Sequence, residues 1–293
     1  MKSYNYEKID AFTSGKSLGN PAACIYLKDN QNLTYDEMLN IAKQHKGFVS
    51  EVVFCRKINT SDYKLVYFSS ECEVEFCGHG TIACMFSLIK ETPDLLNQSE
   101  IKIQTNKKGI LTVFNEISKQ DAIYISAPQP NYIGTDLDAQ IISRFLQIDS
   151  NQISSNYPID IIDAGLKTLI VPVATFHDEI NIFPNEKNLK DFCLNNQVDI
   201  ILTFSSEVKE KNSIAHTRVF APKFGYLEDP ATGSGNSAFG YYMLKNGMWQ
   251  GNAISIEQGG IDRVFNIVKL MLNNNQVLFG GNATTRIKGE YFL

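Results

Sequence analysis

Two glycine-led segments, 155 positions apart, constrain the fold of this chain most strongly. Each opens with a glycine turn and continues with apolar residues at helical spacing. The shift pairs Cys77 with Thr232, Gly78 with Gly233, His79 with Ser234, Gly80 with Gly235, Ala83 with Ala238 and Lys90 with Lys245. Such self-similarity indicates that one structural unit has been duplicated.

Short β-branched and aromatic runs surround both segments and predict strands. In the first half we expect strands at 6–12, 22–27, 51–56, 63–68, 101–105, 110–115 and 122–126. In the second half we expect them at 168–173, 200–204, 217–221, 253–257, 265–272 and 276–280. The glycine-led helices are expected at about 80–90 and 233–245. Thr34 and Glu37 form a capping-box pattern, which predicts a further helix over 35–44.

The two halves meet near Pro128 and Pro130, which are followed by a loop-like Gly134-Thr135. We therefore expect an N-terminal half over 1–129, completed by the C-terminal segment 282–293, and a C-terminal half over 130–281. A chain of 293 residues, 43% of them hydrophobic, is long enough for two such domains.

Composition excludes several classes of partner. Lys and Arg total 27 against 32 Asp and Glu, so the net charge is −5, and nucleic acid and anionic membrane surfaces are not expected ligands. The polar first residues do not resemble a secretion signal, and no apolar window is long enough for a membrane helix. We expect a cytoplasmic protein whose six cysteines are free thiols and mostly small core residues.

A zinc site was considered because Cys72, Cys77, His79 and Cys84 are close in sequence. Structural zinc sites usually bring their ligands in Cys-x-x-Cys pairs, and this segment has none. We therefore expect no metal.

The glycine turns themselves allow two interpretations. The first turn of a helix exposes unbonded N–H groups and about half a positive charge, so two such ends facing one cleft would hold a carboxylate. Alternatively, the glycines only permit close helix packing. The first interpretation predicts a small organic acid as the ligand.

Several motifs, in order along nearly the whole chain, resemble the phenazine-biosynthesis (PhzF-like) isomerase family. They are Asp10-Ala11-Phe12-Thr13, Gly19-Asn20-Pro21-Ala22-Ala23, Ser50-Glu51, Glu73-Val74-Glu75-Phe76-Cys77-Gly78-His79, Phe220-Ala221-Pro222, Glu228-Asp229-Pro230-Ala231-Thr232-Gly233-Ser234 and Val277-Leu278-Phe279-Gly280-Gly281-Asn282-Ala283. The chain departs from the family at three places: Ile261 to Phe265 replaces a Gly-Arg-Pro type turn, Ser69-Ser70 replaces Thr-Pro, and Gly80 replaces alanine.

The resemblance implies an α+β fold of the diaminopimelate epimerase-like type. Two pseudo-symmetric domains, each a sheet curled around a central helix, would hold one site between them. It further implies a cofactor-independent isomerase that moves a proton within a small, possibly cyclic, carboxylate-bearing amino acid, and a homodimer. The implied catalytic residues are Glu51, His79 and Asp229. The implied substrate-binding residues are Asn20, Cys77, Gly78, Gly80, Thr232, Gly233, Ser234 and Gly235.

From the residues alone these roles stay open. Val49, Val52 and Val53 flank Glu51 and would raise its pKa by desolvation, which suits a group that both accepts and donates a proton near neutral pH. Glu51 could equally be a solvent-facing residue on an edge strand. His79 could cap the following helix, and Asp229 before Pro230 could be a turn residue.

Three other functions are compatible with parts of this sequence. A two-thiol epimerase needs an acid on each side of the substrate carbon, and Thr232 is too weak an acid to serve as the second thiol. A binding protein that has lost catalysis would keep the same fold. A Cys77-His79 acyltransferase is disfavoured because residues two apart on a glycine turn rarely align as nucleophile and base.

Overall fold

The computed structural model describes residues 2–260 and 264–293. The strands are β1 (Ser3–Ala11), β2 (Asn20–Leu27), β3 (Glu51–Lys57), β4 (Asp62–Ser69), β5 (Glu73–Val74), β6 (Glu100–Thr105), β7 (Gly109–Asn115), β8 (Ile123–Ser126), β9 (Asn131–Tyr132), β10 (Asp160–Asp163), β11 (Lys167–Pro172), β12 (Ile200–Ser205), β13 (Ser213–Phe220), β14 (Glu228–Asp229), β15 (Ile254–Gln258), β16 (Asn266–Asn273), β17 (Gln276–Gly281) and β18 (Ala283–Phe292). The helices are α1 (Tyr35–Gln44), α2 (Gly78–Glu91), α3 (Pro93–Leu96), α4 (Ile117–Gln120), α5 (Ala139–Leu146), α6 (Phe176–Ile180), α7 (Glu186–Asn195) and α8 (Gly233–Lys245), with short 3-10 helices at Ser150–Gln152 and Pro222–Phe224. The late turn that departs from the family pattern falls partly on 261–263, which lie outside the described residues.

The chain divides into two compact units. The first unit contains Met1–Ser126 and Gly280–Leu293, and the second contains Ala127–Phe279. In the first unit β18 pairs antiparallel with β1 over its whole length, from Ser3 opposite Phe292 to Ala11 opposite Ala283. The first unit is therefore built from both ends of the sequence, whereas the second is continuous.

Both units follow one pattern of strand pairing. In the first, β2 and β3 are parallel, β4 is antiparallel to β3 and parallel to β6, and β6 is antiparallel to β7. In the second, β11 and β12 are parallel, β13 is antiparallel to β12 and parallel to β15, and β15 is antiparallel to β16. This shared pattern is the structural repeat that the glycine-led segments predict.

One short connection before the glycine turn differs in length between the two units. β5 pairs with β4 so that Phe68 lies opposite Glu73, and β14 pairs with β13 so that Phe220 lies opposite Glu228. The connection in the second unit is longer, and it contains the 3-10 helix Pro222–Phe224. The extra residues are thus absorbed before the glycine turn, which leaves the two helix starts equivalent.

Each unit has a buried central helix. In α2 the run from Gly80 to Ser87 is buried, and in α8 the run from Gly235 to Met243 is buried. A helix that is covered on all sides needs small and apolar residues around its whole circumference, which both sequences supply. The two helices also start alike, because the N-cap residues Cys77 and Thr232 have nearly the same backbone angles, φ −129° and ψ 108° against φ −121° and ψ 105°.

The opposite face of each sheet is covered by outer helices. In the first unit, Ile41 and Ala42 of α1 pack with Val52, Phe54 and other sheet residues. Helix α1 has the bounds and the capping box that the sequence predicts: Glu37 N donates to Thr34 Oγ1 at 3.2 Å, and Thr34 N donates to Glu37 Oε2 at 2.8 Å. In the second unit, residues of α5 and α7 form the corresponding core with β11–β13.

No helix in the described part of the chain combines the length and the apolar character needed to cross a bilayer.

Candidate active site

Glu51 is the first residue of β3, a strand with a partner on each side. It lies opposite Ala22 of β2 and Ser69 of β4. Alternate residues of a strand face opposite sides, and Val52 and Phe54 belong to the core beneath α1. Glu51 therefore faces α2, and its side chain is only 21% exposed. The alternative interpretation, in which Glu51 is a solvent-facing residue on an edge strand, is therefore wrong.

The start of α2 brings two more polar groups to this position. Cys77 is the N-cap, and its Sγ accepts a hydrogen bond from Gly80 N at 3.3 Å. A Cβ on Gly80 would lie 2.9 Å from that sulfur and 2.8 Å from Val53 Cγ2, closer than atoms approach. The glycine that departs from the family pattern thus makes room for the Cys77 sulfur.

Glu51, Cys77 and His79 meet in one group, called here the Glu51 cluster. His79 Nε2 lies 3.3 Å from Glu51 Oε2. Cys77 Sγ lies 3.8 Å from the same carboxylate oxygen, and 3.6 Å and 3.8 Å from His79 Nδ1 and Nε2. The structure therefore joins one carboxylate, one imidazole and one thiol at a helix N-terminus.

The electrostatics of this cluster differ from the expectation for Glu51 alone. Burial would raise the Glu51 pKa, but the hydrogen bond and charge of His79 outweigh it and leave the pKa lowered. Burial opposes protonation of His79, yet Cys77 and the Glu51 carboxylate raise its pKa well above the ordinary value. The prediction of a raised Glu51 pKa is therefore wrong, because the valines flank the residue in sequence whereas His79 contacts it in space.

Cys77 behaves differently from its two neighbours. Burial raises the pKa of its thiol, although His79 and the Gly80 N–H both favour the thiolate. Burial thus favours the neutral thiol of Cys77, whereas the contact between Glu51 and His79 favours the carboxylate and the imidazolium.

Asn20 lies at the same end of the neighbouring strand. It is the first residue of β2, opposite Ala11 of β1, and it is 2% exposed. Because Ala22 is the residue beside Glu51, Asn20 is two positions from the cluster along a parallel strand. Gly78 and His79 form the first turn of α2 beside it in the same unit.

The second unit carries the other predicted residues. Asp229 ends β14, and Thr232 is the N-cap of α8, whose first turn is Gly233, Ser234 and Gly235. The Thr232 hydroxyl donates a hydrogen bond to the Asp229 carboxylate and makes no side-chain cap. The first-turn N–H groups of α8 have no acceptor within the helix, so this turn can bind an anion.

Side chains that no sequence motif indicates hold this turn in place. Gln258, which is fully buried, accepts from Thr232 N at 2.9 Å and Asn236 Nδ2 at 2.6 Å. It donates to Asp229 O at 2.8 Å and Thr232 Oγ1 at 3.1 Å. The repeat contains one signal for such contacts. Asn236 is the equivalent of Thr81, whose hydroxyl donates to Cys77 O at 2.7 Å, so a polar side chain stands at this helix position in both units.

The strand position of Glu51 is occupied by an apolar residue in the second unit. Ile200 is the first residue of β12 and is 1% exposed. Its Cδ1 would be 3.2 Å from a Cβ placed on Gly235, so it also faces the start of the central helix. Only one of the two repeated positions therefore carries an acid.

The cysteines considered for zinc do not come together. Cys72 is exposed in the turn between β4 and β5, whereas Cys84 is buried within hydrogen-bond reach of Cys24 and Cys55. Within the described ranges, the group that can offer three metal ligands is the Glu51 cluster, whose ligand atoms all lie within 4.8 Å of one another.

Comparison with known proteins agrees with this architecture. Residues 9–289 match the phenazine biosynthesis-like protein family, PhzC-PhzF. An uncharacterized isomerase, YfhB of Bacillus subtilis, is 32% identical over 88% of this chain and 87% of its own length. The trans-2,3-dihydro-3-hydroxyanthranilate isomerase of Pseudomonas fluorescens is 26% identical over 87% of this chain and 86% of its own length.

The fold has also been seen in solved structures. A crystal structure of a PhzF-family phenazine biosynthesis protein from Bacillus anthracis covers 100% of both chains with a TM-score of 0.85 at 24% identity. The fold is thus the expected α+β, diaminopimelate epimerase-like one. By the match over nearly its whole length, this chain belongs to the PhzC-PhzF family of phenazine biosynthesis-like proteins.

Proposed function

We propose that this protein is an isomerase that moves a proton within a small carboxylate-bearing substrate, with Glu51 as its single base. The observation that carries the proposal is the contact of 3.3 Å between Glu51 Oε2 and His79 Nε2. This contact keeps the carboxylate ionised in a mostly buried position, where it is ready to accept a proton. The isomerase names of the Bacillus and Pseudomonas relatives support the reaction class.

The proposed reaction is a proton shift on one face of the substrate. Glu51 takes a proton from a substrate carbon, the electron pair moves through the adjoining double bond, and the Glu51 carboxyl group protonates a second carbon after its acidic hydrogen has exchanged with solvent. His79 stays protonated and stabilises the negative charge that develops on the substrate. A carboxyl group that accepts and then donates one proton needs no redox partner, so we propose a cofactor-independent reaction.

The second unit supports a one-base reaction. Ile200 and Thr232 occupy the positions of Glu51 and Cys77, and neither provides an acid of suitable strength. An epimerase would need a second base on the opposite face. We therefore favour the proton shift over epimerisation.

We propose that the substrate is a cyclic amino acid. The support is the Pseudomonas relative, which is named for trans-2,3-dihydro-3-hydroxyanthranilate. As substrate-binding residues we propose Gly78 in the first turn of α2, and Gly233, Ser234 and Gly235 in the first turn of α8, each through its backbone N–H group. Asp229 and Asn20 would contact the polar groups of the substrate.

Gly80 and Thr232 are proposed to act indirectly. The Gly80 N–H already donates to Cys77 Sγ, so its contribution would be the space it leaves for that sulfur. The Thr232 hydroxyl is engaged with Asp229, so it would orient that carboxylate toward substrate.

Deuterium incorporation tests the proposal. The wild-type protein should catalyse exchange of one proton when it is incubated in heavy water with trans-2,3-dihydro-3-hydroxyanthranilate or related cyclic amino acids. Glu51→Gln should lower the exchange rate by about 10²–10⁴-fold while binding stays within a few-fold, because general base catalysis is of this size. Glu71→Gln, which changes an exposed glutamate, is the matched control.

Two outcomes would count against the proposal. Full exchange by Glu51→Gln would exclude Glu51 as the base. Binding without exchange by the wild-type protein would favour the alternative of a catalytically inactive binding protein.

We also propose a cytoplasmic homodimer in which the two compact units are the two epimerase-like halves. Cyclic dimers are the commonest assemblies. Five of the six cysteines are buried free thiols, which suits a reducing compartment. Light scattering of the purified protein should give twice the chain mass of 32.9 kDa, and a monomer would contradict the proposed assembly.

A further inference from the structure

The Glu51 cluster has the dimensions of a metal site. The three atoms Cys77 Sγ, His79 Nε2 and Glu51 Oε2 are separated by 3.8 Å, 3.8 Å and 3.3 Å. A tetrahedral zinc ion, with bonds of about 2.3 Å to sulfur and about 2.0 Å to nitrogen or oxygen, separates its ligand atoms by roughly 3.3–3.6 Å. The side chains would need to move by only a few tenths of an ångström.

The chemistry of the three groups also suits a thiophilic divalent cation. Thiolate, imidazole and carboxylate are the ligand types that zinc takes in proteins, and three protein ligands leave the fourth position to water. The ion would displace two protons, one from the Cys77 thiol and one from the His79 imidazolium. The charges then balance, because a thiolate and a carboxylate neutralise a dication.

Access and outer contacts favour the same conclusion. The side chains of His79 and Glu51 are 14% and 21% exposed, so an ion can reach them from solvent. The Gly80 N–H, 3.3 Å from Cys77 Sγ, would stay as an outer hydrogen bond that stabilises the bound thiolate. Cys77 lies at the start of α2 and Glu51 at the start of β3, so regular secondary structure fixes the backbone position of these two ligands.

We propose that Glu51, Cys77 and His79 bind Zn²⁺ and that the bound ion inhibits the enzyme. Inhibition follows because coordination takes the carboxylate oxygen that would accept the substrate proton. The inhibitory effect rests on the proposed function, whereas binding of the ion does not.

Cobalt spectroscopy tests binding without any assay of activity. Co²⁺ titrated into chelator-treated protein should give one saturable site, with a thiolate-to-cobalt charge-transfer band and the strong visible bands of tetrahedral cobalt. Added Zn²⁺ should remove both. Cys77→Ser should abolish the charge-transfer band, and Glu51→Gln and His79→Gln should each weaken binding at least ten-fold. Cys72→Ser, which changes the exposed thiol, should bind as the wild type does.

Two results would overturn binding: no saturable tetrahedral spectrum, or a charge-transfer band that survives in Cys77→Ser. Inhibition is tested separately by deuterium exchange with increasing Zn²⁺. Relative to its own rate without metal, Cys77→Ser should need at least ten-fold more Zn²⁺ for half-inhibition than the wild type. Equal sensitivity of Cys77→Ser and the wild type to Zn²⁺ would overturn the inhibitory role. If the wild-type protein has no exchange activity, the proposed function fails, but the cobalt titration still decides whether the metal binds.

Discussion

Glu51 and Ile200 occupy the same position in the two repeated units. Each is the first residue of a strand that has a parallel partner on one side and an antiparallel partner on the other. Each faces the start of its unit's central helix. The duplication therefore kept the backbone and placed an acid in one unit only.

Ile200→Glu tests this asymmetry. Ile200 is 1% exposed, and the second unit has Ser234 where the first has His79. A carboxylate buried there would lack the cation that stabilises Glu51, so we expect a loss of about 3 kcal/mol or more in unfolding free energy. Urea denaturation measures it, with Ile200→Val, at about 1 kcal/mol, as the control. Equal stability of the two variants would mean that the second unit also accommodates an acid at this position, which would contradict the asymmetry.

The enzyme should be active over a broad pH range, with its acid limit set by Glu51 and its alkaline limit set by His79. The lowered Glu51 pKa keeps the base ionised, so the rate should fall only below the ordinary glutamate pKa of about 4.3. The raised His79 pKa keeps the imidazolium charged, so the alkaline fall should lie above the ordinary value of about 6.5.

His79→Gln separates these two limits. The alkaline fall should disappear, since the group that titrates is gone. The acid limb should move to higher pH, because Glu51 loses the charge that lowers its pKa while its burial remains. The pH dependence of kcat/KM measures both, and an unchanged profile would exclude the ion pair from the reaction.

Gln258→Leu should loosen the turn that carries Asp229 and Thr232. The substitution removes four hydrogen bonds and leaves buried polar partners unsatisfied, at a cost of roughly 2–4 kcal/mol. Urea denaturation measures the loss, and Gln140→Leu on the exposed surface of α5 is the control. A variant as stable as this control would show that Gln258 is dispensable to the turn.

His216, a buried histidine of the second unit, should make stability depend on pH. His216 Nδ1 lies 2.8 Å from Glu179 Oε2, and Nε2 lies 2.9 Å from Gly259 O. Both ring nitrogens face oxygen acceptors, which only the protonated ring satisfies. Burial opposes protonation, but the Glu179 carboxylate outweighs it and raises the His216 pKa.

A histidine with a raised pKa in the folded state stabilises the fold fully below its unfolded pKa of about 6.5. That contribution is lost as the pH rises through the folded pKa. Unfolding free energy should therefore decline above about pH 6.5, and His216→Gln should make the decline less steep while the contribution of His79 remains. His177→Gln, at an exposed histidine, should keep the wild-type slope. A decline that is as steep in His216→Gln as in the wild type would exclude His216 as a contributor.

Local sequence signals predicted most strands and the helices α1, α2 and α8, but not the shorter or outer helices α3 to α7. Helix α1 has the predicted bounds because its capping box acts within four residues, and α8 also matches its prediction. Strand β18 was missed because its residues are mostly exposed on both faces, so they show no apolar alternation. Helix α5 was missed although Asp138 caps it, accepting from Ile141 N at 2.8 Å.

The site was only partly readable from sequence. The family motifs named Glu51, Cys77 and His79, but their mutual distances depend on the pairing of β3 with β2 and β4 and on the packing of α2. The pKa of Glu51 was mispredicted for that reason. Gln258 was missed because its four partners lie 22 to 29 residues away in the sequence.

Because β1 pairs with β18, the two units are completed in a fixed order during synthesis of the chain. The second unit is one continuous stretch and is complete once Phe279 has left the exit tunnel. The first unit still lacks a strand at that moment, so one edge of β1 stays unpaired until β18 has been synthesised. The half that carries Glu51 is therefore begun before the second unit and completed after it.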